Sequence, residues 1–103
     1  MNSSIQIETE FTPNPHSLKF NSNRKLLATG SSAYFATKEA AQDSPLAKKL
    51  FAIPHVEGVL IGRDFVTISR DPTVETWGSI IAPVTRVLQS HLESGEPIVF
   101  AAQ

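Results

Sequence analysis

The stretch FAIPHVEGVLIGRDF, Phe51 to Phe65, gathers a histidine, a glutamate, an arginine and an aspartate in one short span. His55 and Glu57 lie two apart, so an extended backbone puts both on one side, which is half a metal site. With Asp64 added, the set becomes that of a small metal-dependent enzyme or metal-binding protein. Zinc needs three or four ligands, and the other two histidines, His16 and His91, are remote in sequence. His91 sits beside the apolar stripe of the last helix and reads as a residue at the edge of the core.

Other candidates have simpler readings. Arg63-Asp64 can bind an anion or a partner, but the pair also makes a turn whose aspartate bonds the local backbone. Ser44 has no base at useful spacing for a nucleophile, and an N-cap role accounts for it. The glycines near helix starts are isolated, so no phosphate loop is present. Trp77 is in helical phase with Ile80, Ile81 and Val84 and reads as core. The residues therefore describe a non-catalytic module, with no cofactor and no metal site.

The elements that must position these residues alternate between two periods. Ile5, Ile7, Thr9 and Phe11 alternate with Gln6, Glu8 and Glu10, as in a half-buried strand. Thr12-Pro13-Asn14-Pro15 ends it, because two prolines remove two backbone donors. Leu18 and Phe20 mark a second strand and Leu26-Leu27-Ala28 a third, after which Tyr34-Phe35 re-enters the core. Thr37 to Ala41 suits one helical turn. Ser44-Pro45 then caps a helix with Leu46, Leu50 and Ile53 on one face, ended by Pro54. Gly58 to Ile61 and Phe65 to Arg70 form a hairpin about Gly62-Arg63-Asp64. Asp71-Pro72-Thr73 opens the last helix, whose stripe runs from Trp77 to Leu92. Pro83 kinks that helix without breaking it, and Ser94-Gly95 stops it.

The expected fold is α+β: an antiparallel sheet with both helices on one face. Its other face carries Gln6, Glu8, Glu10, Lys19, Thr67 and Ser69. Residues 1–103 form one domain, with an apolar tail at 96–103 that is expected to add to a sheet edge.

Composition narrows the function. Nine basic residues against ten acidic ones leave a formal net charge of −1, so neither nucleic acid nor an anionic membrane is expected as a partner. RNA binding on the open sheet face is further disfavoured, because that face reads as lacking aromatics and carries Glu8 and Glu10. The chain has no cysteine, so it supplies no disulfide, thiolate nucleophile or cysteine-held cluster of its own. Its N-terminus has neither the features of a secretory signal nor those of a transit peptide. No apolar run approaches the roughly 20 residues that span a bilayer. A soluble, cytoplasmic protein is expected.

Three segments occur together in a family order and spacing: TPNPHSLKF (Thr12 to Phe20), SPLAKKLFAIPHVEGVLIGRDFVTI (Ser44 to Ile68), and the last helix with Trp77 and Pro83. Up to about Gly95 the chain resembles the N-terminal domain of Nfu-type (NifU-like) iron–sulfur cluster scaffold proteins. Members of that family carry a second domain whose Cys-x-x-Cys pair holds the cluster between two subunits. With no cysteine here, that chemistry does not carry over. The resemblance implies a stand-alone accessory or adaptor domain in iron–sulfur cluster biogenesis or delivery; the family is loosely associated with weak iron binding, for which these residues supply no convincing site. It would act by protein–protein contact with iron–sulfur assembly or client proteins. Partner contact is expected at two polar turns, through Asn14 and His16 in one and Arg63 and Asp64 in the other.

Overall fold

The computed structural model describes residues 5–28, 30–73, 77–95 and 98. Five strands, β1 (Ile7–Phe11), β2 (Ser17–Ser22), β3 (Ala33–Phe35), β4 (Val56–Ile61) and β5 (Phe65–Arg70), join two helices, α1 (Pro45–Phe51) and α2 (Gly78–Ser94). The sheet order is β1-β2-β5-β4-β3, and every neighbouring pair is antiparallel.

Strand alternation decides what the sheet buries. Leu18, Phe20, Phe35, Val59, Ile61, Val66 and Ile68 point to one face and join Leu46, Leu50, Ile80, Val84 and Leu88 of the helices in one core. Both helices therefore lie on that face, as the sequence predicts. Each fully buried Leu, Ile or Phe contributes on the order of 1.5–3 kcal/mol by leaving water.

Local chemistry sets the element ends. The Ser44 side chain accepts from the Ala47 N–H and Pro45 occupies the first turn of α1, where its missing donor costs nothing. The helix ends at Phe51, earlier than Pro54 alone would require, because the Ile53 N–H turns back to the Leu50 carbonyl. α2 runs unbroken through Pro83, and Gly95 closes it at φ 76°, a left-handed conformation that glycine adopts without penalty. The one-turn helix expected at Thr37 to Ala41 is a 3-10 turn, Glu39–Asp43.

Three expectations need correction. Leu26 to Ala28 is not a strand: the Leu26 and Leu27 N–H groups both go to the Arg63 carbonyl, which binds this loop to the β4–β5 turn. The third strand is Ala33–Phe35, and within it only Phe35 enters the core, while Tyr34 is 64% exposed. Asp71-Pro72-Thr73 does not open α2. The Asp71 carboxylate accepts from both the N–H and the hydroxyl of Thr73, closing an Asx turn, and the helix starts at Gly78. Residues 74–76 lie outside the described residues.

Trp77 is half-buried rather than a core centre. It packs against the core cluster, and the Arg70 guanidinium stands 5.3 Å from its ring centroid.

Candidate docking surfaces

His55, Glu57 and Asp64 are not brought together. His55 precedes β4 with φ 75°, so the extended geometry that would align it with Glu57 is absent. Glu57 falls at a bulge, where the β4–β5 register shifts between Val56 and Gly58. Asp64 lies beyond the far end of β4 in the hairpin turn, roughly 20 Å along the strand. Among the described residues, no group of three or more His, Asp or Glu side chains is arranged to hold a metal ion.

The two polar turns are both exposed, but they sit at opposite ends of the sheet. In the antiparallel β2–β5 pair, Ser17 faces Ser69 and Asn21 faces Phe65. The turn with Asn14 and His16 is therefore beside the end of β5, and the turn with Arg63 and Asp64 is beside its start. At the first end, Asn14 Oδ1 accepts from the His16 N–H, and Thr12 Oγ1 bonds the Asn14 backbone. These bonds stiffen the turn and leave the His16 ring exposed. At the second end, the Ser22 N–H donates to the Asp64 carbonyl at 2.8 Å. This brings Arg24 and Lys25 beside Arg63 and Asp64 around an open cleft of about 310 Å³. The sequence shows no sign of this cluster of three cations and one acid, since the loop and the hairpin are brought together by backbone bonds.

The open sheet face also differs from expectation. It does carry Glu8, Glu10, Lys19, Thr67 and Ser69, but Tyr34 and Phe65 lie there too. One row crosses all five strands as Glu10, Lys19, Thr67, Leu60 and Tyr34. Beside it, the Lys19 ammonium stands 4.5 Å from the Phe65 ring centroid. The Phe65 ring in turn lies over Gly62, where an added Cβ would come within 2.3 Å of it. The ring thereby covers the backbone of the β4–β5 turn, which would otherwise be bare.

On the helical side, His91 is 1% exposed, and its Nδ1 lies 3.1 Å from the Lys49 ammonium. An ammonium offers only donors, so Nδ1 is the acceptor there. His91 lies fully inside, deeper than the edge position expected of it. Beside it, Lys49, Pro83, Arg86, Val87 and Ser90 line a groove of about 410 Å³ between the helices.

The tail expected to form an edge strand is described only at Ile98. That residue is half-buried against the core, and its carbonyl accepts from the Ser44 hydroxyl at 2.6 Å. The rest of the tail lies outside the described residues.

Comparison with known proteins agrees with this architecture. The family model for the N terminus of the scaffold protein Nfu/NifU matches residues 7–95. A Drosophila willistoni protein named as a mitochondrial NFU1 iron–sulfur cluster scaffold homolog is 42% identical over 97 residues, covering 94% of this chain and 33% of its own length. Its Drosophila virilis counterpart is 41% identical over 100 residues, covering 97% of this chain and 33% of itself. The chain thus spans about a third of the length of these relatives. The solution structure of a NifU-like protein from Saccharomyces cerevisiae superposes with a TM-score of 0.81 at 37% identity, over 96% of this chain and 89% of that one. A Staphylococcus aureus crystal structure shares the fold, with a TM-score of 0.66 at 15% identity. The cytoplasmic location expected from the N-terminus does not stand, because these relatives are named as mitochondrial.

Proposed function

The chain belongs to the Nfu/NifU N-terminal family, and from that membership we propose that it serves iron–sulfur cluster biogenesis as a non-catalytic adaptor that docks assembly or client proteins. Its compartment in this reading is the mitochondrial one for which its relatives are named. The observation that carries the docking role is the open sheet face. There Tyr34 is 64% exposed, and Leu60, Phe65 and Lys19 are half-exposed beside it. Aromatic and apolar groups rimmed by charge are the usual centre of a protein contact. A fold of this size gains nothing in its own core from exposing them.

Two further contacts complete the surface in this reading. The Arg24, Lys25 and Arg63 cleft receives acidic residues of the partner, with Asp64 setting the register. Asn14 and His16 act as a separate polar contact at the opposite end. A partner touching both turns spans the length of β5.

The test is affinity capture from cells with Tyr34→Ala and Leu60→Ser, scored for iron–sulfur assembly proteins and their clients. Capture should fall while the melting temperature holds, because neither side chain is in the core. Unchanged capture by both variants removes this face from the function. Anaerobic incubation with iron and sulfide, followed by absorption spectroscopy and iron counting, tests the adaptor reading itself. A stable stoichiometric cluster on this chain alone would defeat it.

A further inference from the structure

We infer that the outer edge of β1 is a strand-addition site for an extended segment of another protein in which basic and apolar residues alternate. β1 is the first strand in the sheet order, so one side of it has no strand neighbour among the described residues. The phase of its hydrogen bonds follows from its N-terminal end. The Asn23 N–H donates to the Gln6 carbonyl, so Gln6, Glu8 and Glu10 turn their backbone groups toward β2. Alternation then leaves the N–H and C=O of Ile7, Thr9 and Phe11 facing outward, ready to pair.

The side chains of those outward residues lie on the helix side of the sheet. The helices do not reach them all. α2 meets the strand at its start, where Gln89 Nε2 donates to the Ile5 carbonyl and Ile5 is 6% exposed. By the other end, Phe11 is 85% exposed. An added strand would place an apolar residue beside Phe11 and remove its ring from water.

The opposite face selects the partner. Glu8 and Glu10 are both exposed there. A second copy of this chain, pairing antiparallel with its helices on the same side, would set Glu8 against Glu10 of its partner, or one of these carboxylates against its own equivalent. Like charges directly opposed across strands are destabilising, so the edge disfavours itself. The same two carboxylates favour an incoming strand with Lys or Arg at alternate positions. This inference does not depend on the iron–sulfur assignment, since it rests on the β1 edge and not on Tyr34 or Leu60.

The test titrates the full chain with two acetylated nonapeptides, one alternating Lys and Val, the other alternating Glu and Val. Amide exchange is followed residue by residue. The Lys/Val peptide should slow exchange at Ile7, Thr9 and Phe11, and the Glu/Val peptide should not. Glu8→Lys with Glu10→Lys should reverse that preference, by about tenfold in affinity. Thr9→Pro removes only an outward N–H, so it should abolish binding while leaving the melting temperature nearly unchanged. Binding that survives Thr9→Pro, or that fails to distinguish the peptides, overturns the inference. So does a free chain that sediments as a dimer with these three amides already protected, because the occupant is then a second copy.

Discussion

The Ser44 hydroxyl donates to the Ile98 carbonyl at 2.6 Å while accepting from the Ala47 N–H at 3.0 Å. One buried group therefore starts α1 and holds the Ile98 backbone against it. Ser44→Ala should cost about 2 kcal/mol, roughly half from the lost cap and half from the stranded carbonyl. Shortening the chain after Gly95 removes Ile98, and in that background the same substitution should cost about 1 kcal/mol. Equal losses in both backgrounds, measured by urea unfolding, would show that the second bond contributes nothing.

His55 holds φ 75°, a conformation that costs a residue bearing a Cβ roughly 1 kcal/mol. Its carbonyl accepts from the Asp71 N–H, so the fold needs this backbone shape. His55→Gly should raise stability or leave it level, whereas His55→Val should lower it by about 1–2 kcal/mol. If the glycine variant is instead less stable than the parent, the imidazole makes a contact that outweighs the strain.

The Asp71 carboxyl is held below its ordinary pKa, first by the Thr73 N–H and then by the Thr73 hydroxyl, with His55 adding a smaller attraction. A depressed folded pKa contributes stability that is present above the unfolded value, about 3.9, and lost as pH falls through the folded one. Asp71→Ala should therefore be less stable than the parent at neutral pH, and the gap should close in acid below the usual carboxylate range. Asp71→Asn keeps an acceptor but cannot titrate, so its gap from the parent should be smaller at neutral pH and shift with pH in the same sense. Unfolding curves at several pH values read the difference directly.

Arg63→Glu with Asp64→Lys reverses two exposed charges whose backbone bonds to the 22–27 loop are untouched. Stability should move by less than about 0.5 kcal/mol. Capture should weaken because the two charges change places, although the cleft keeps three cations and one acid, so the loss reports their positions and not their sum. Unchanged capture would move the contact away from this cleft.

The sequence was most informative where one physical signal acted alone. The period of Leu18 and Phe20, the cap at Ser44-Pro45 and the stripe of α2 each depend on neighbours in the chain, and each places its element correctly. It misled where distant backbone competed. Leu26-Leu27 reads as a strand until its donors meet the Arg63 carbonyl, a bond no local pattern announces. Asp71-Pro72 carries the signature of a helix start and closes a turn instead, because Thr73 satisfies the carboxylate at once. The docking surfaces were the least legible. Tyr34 and Phe65 look like core residues by type, and only the strand register shows that they share the open face. Arg24 and Lys25 meet Arg63 through a loop whose path is set by the β4–β5 turn, so no motif could reveal that cleft.

The sheet order also governs how the chain assembles in time. The pairs β1–β2 and β4–β5 are hairpins closed by short turns, but the centre of the sheet joins Leu18 to Ile68. Closing that longer loop costs about 2 kcal/mol more in chain entropy than closing either hairpin. The two hairpins therefore form early and briefly expose the facing edges of β2 and β5 before those edges meet. Until they do, Leu18, Phe20, Val66 and Ile68 have no partner strand beside them, so substitutions at these positions are expected to slow folding.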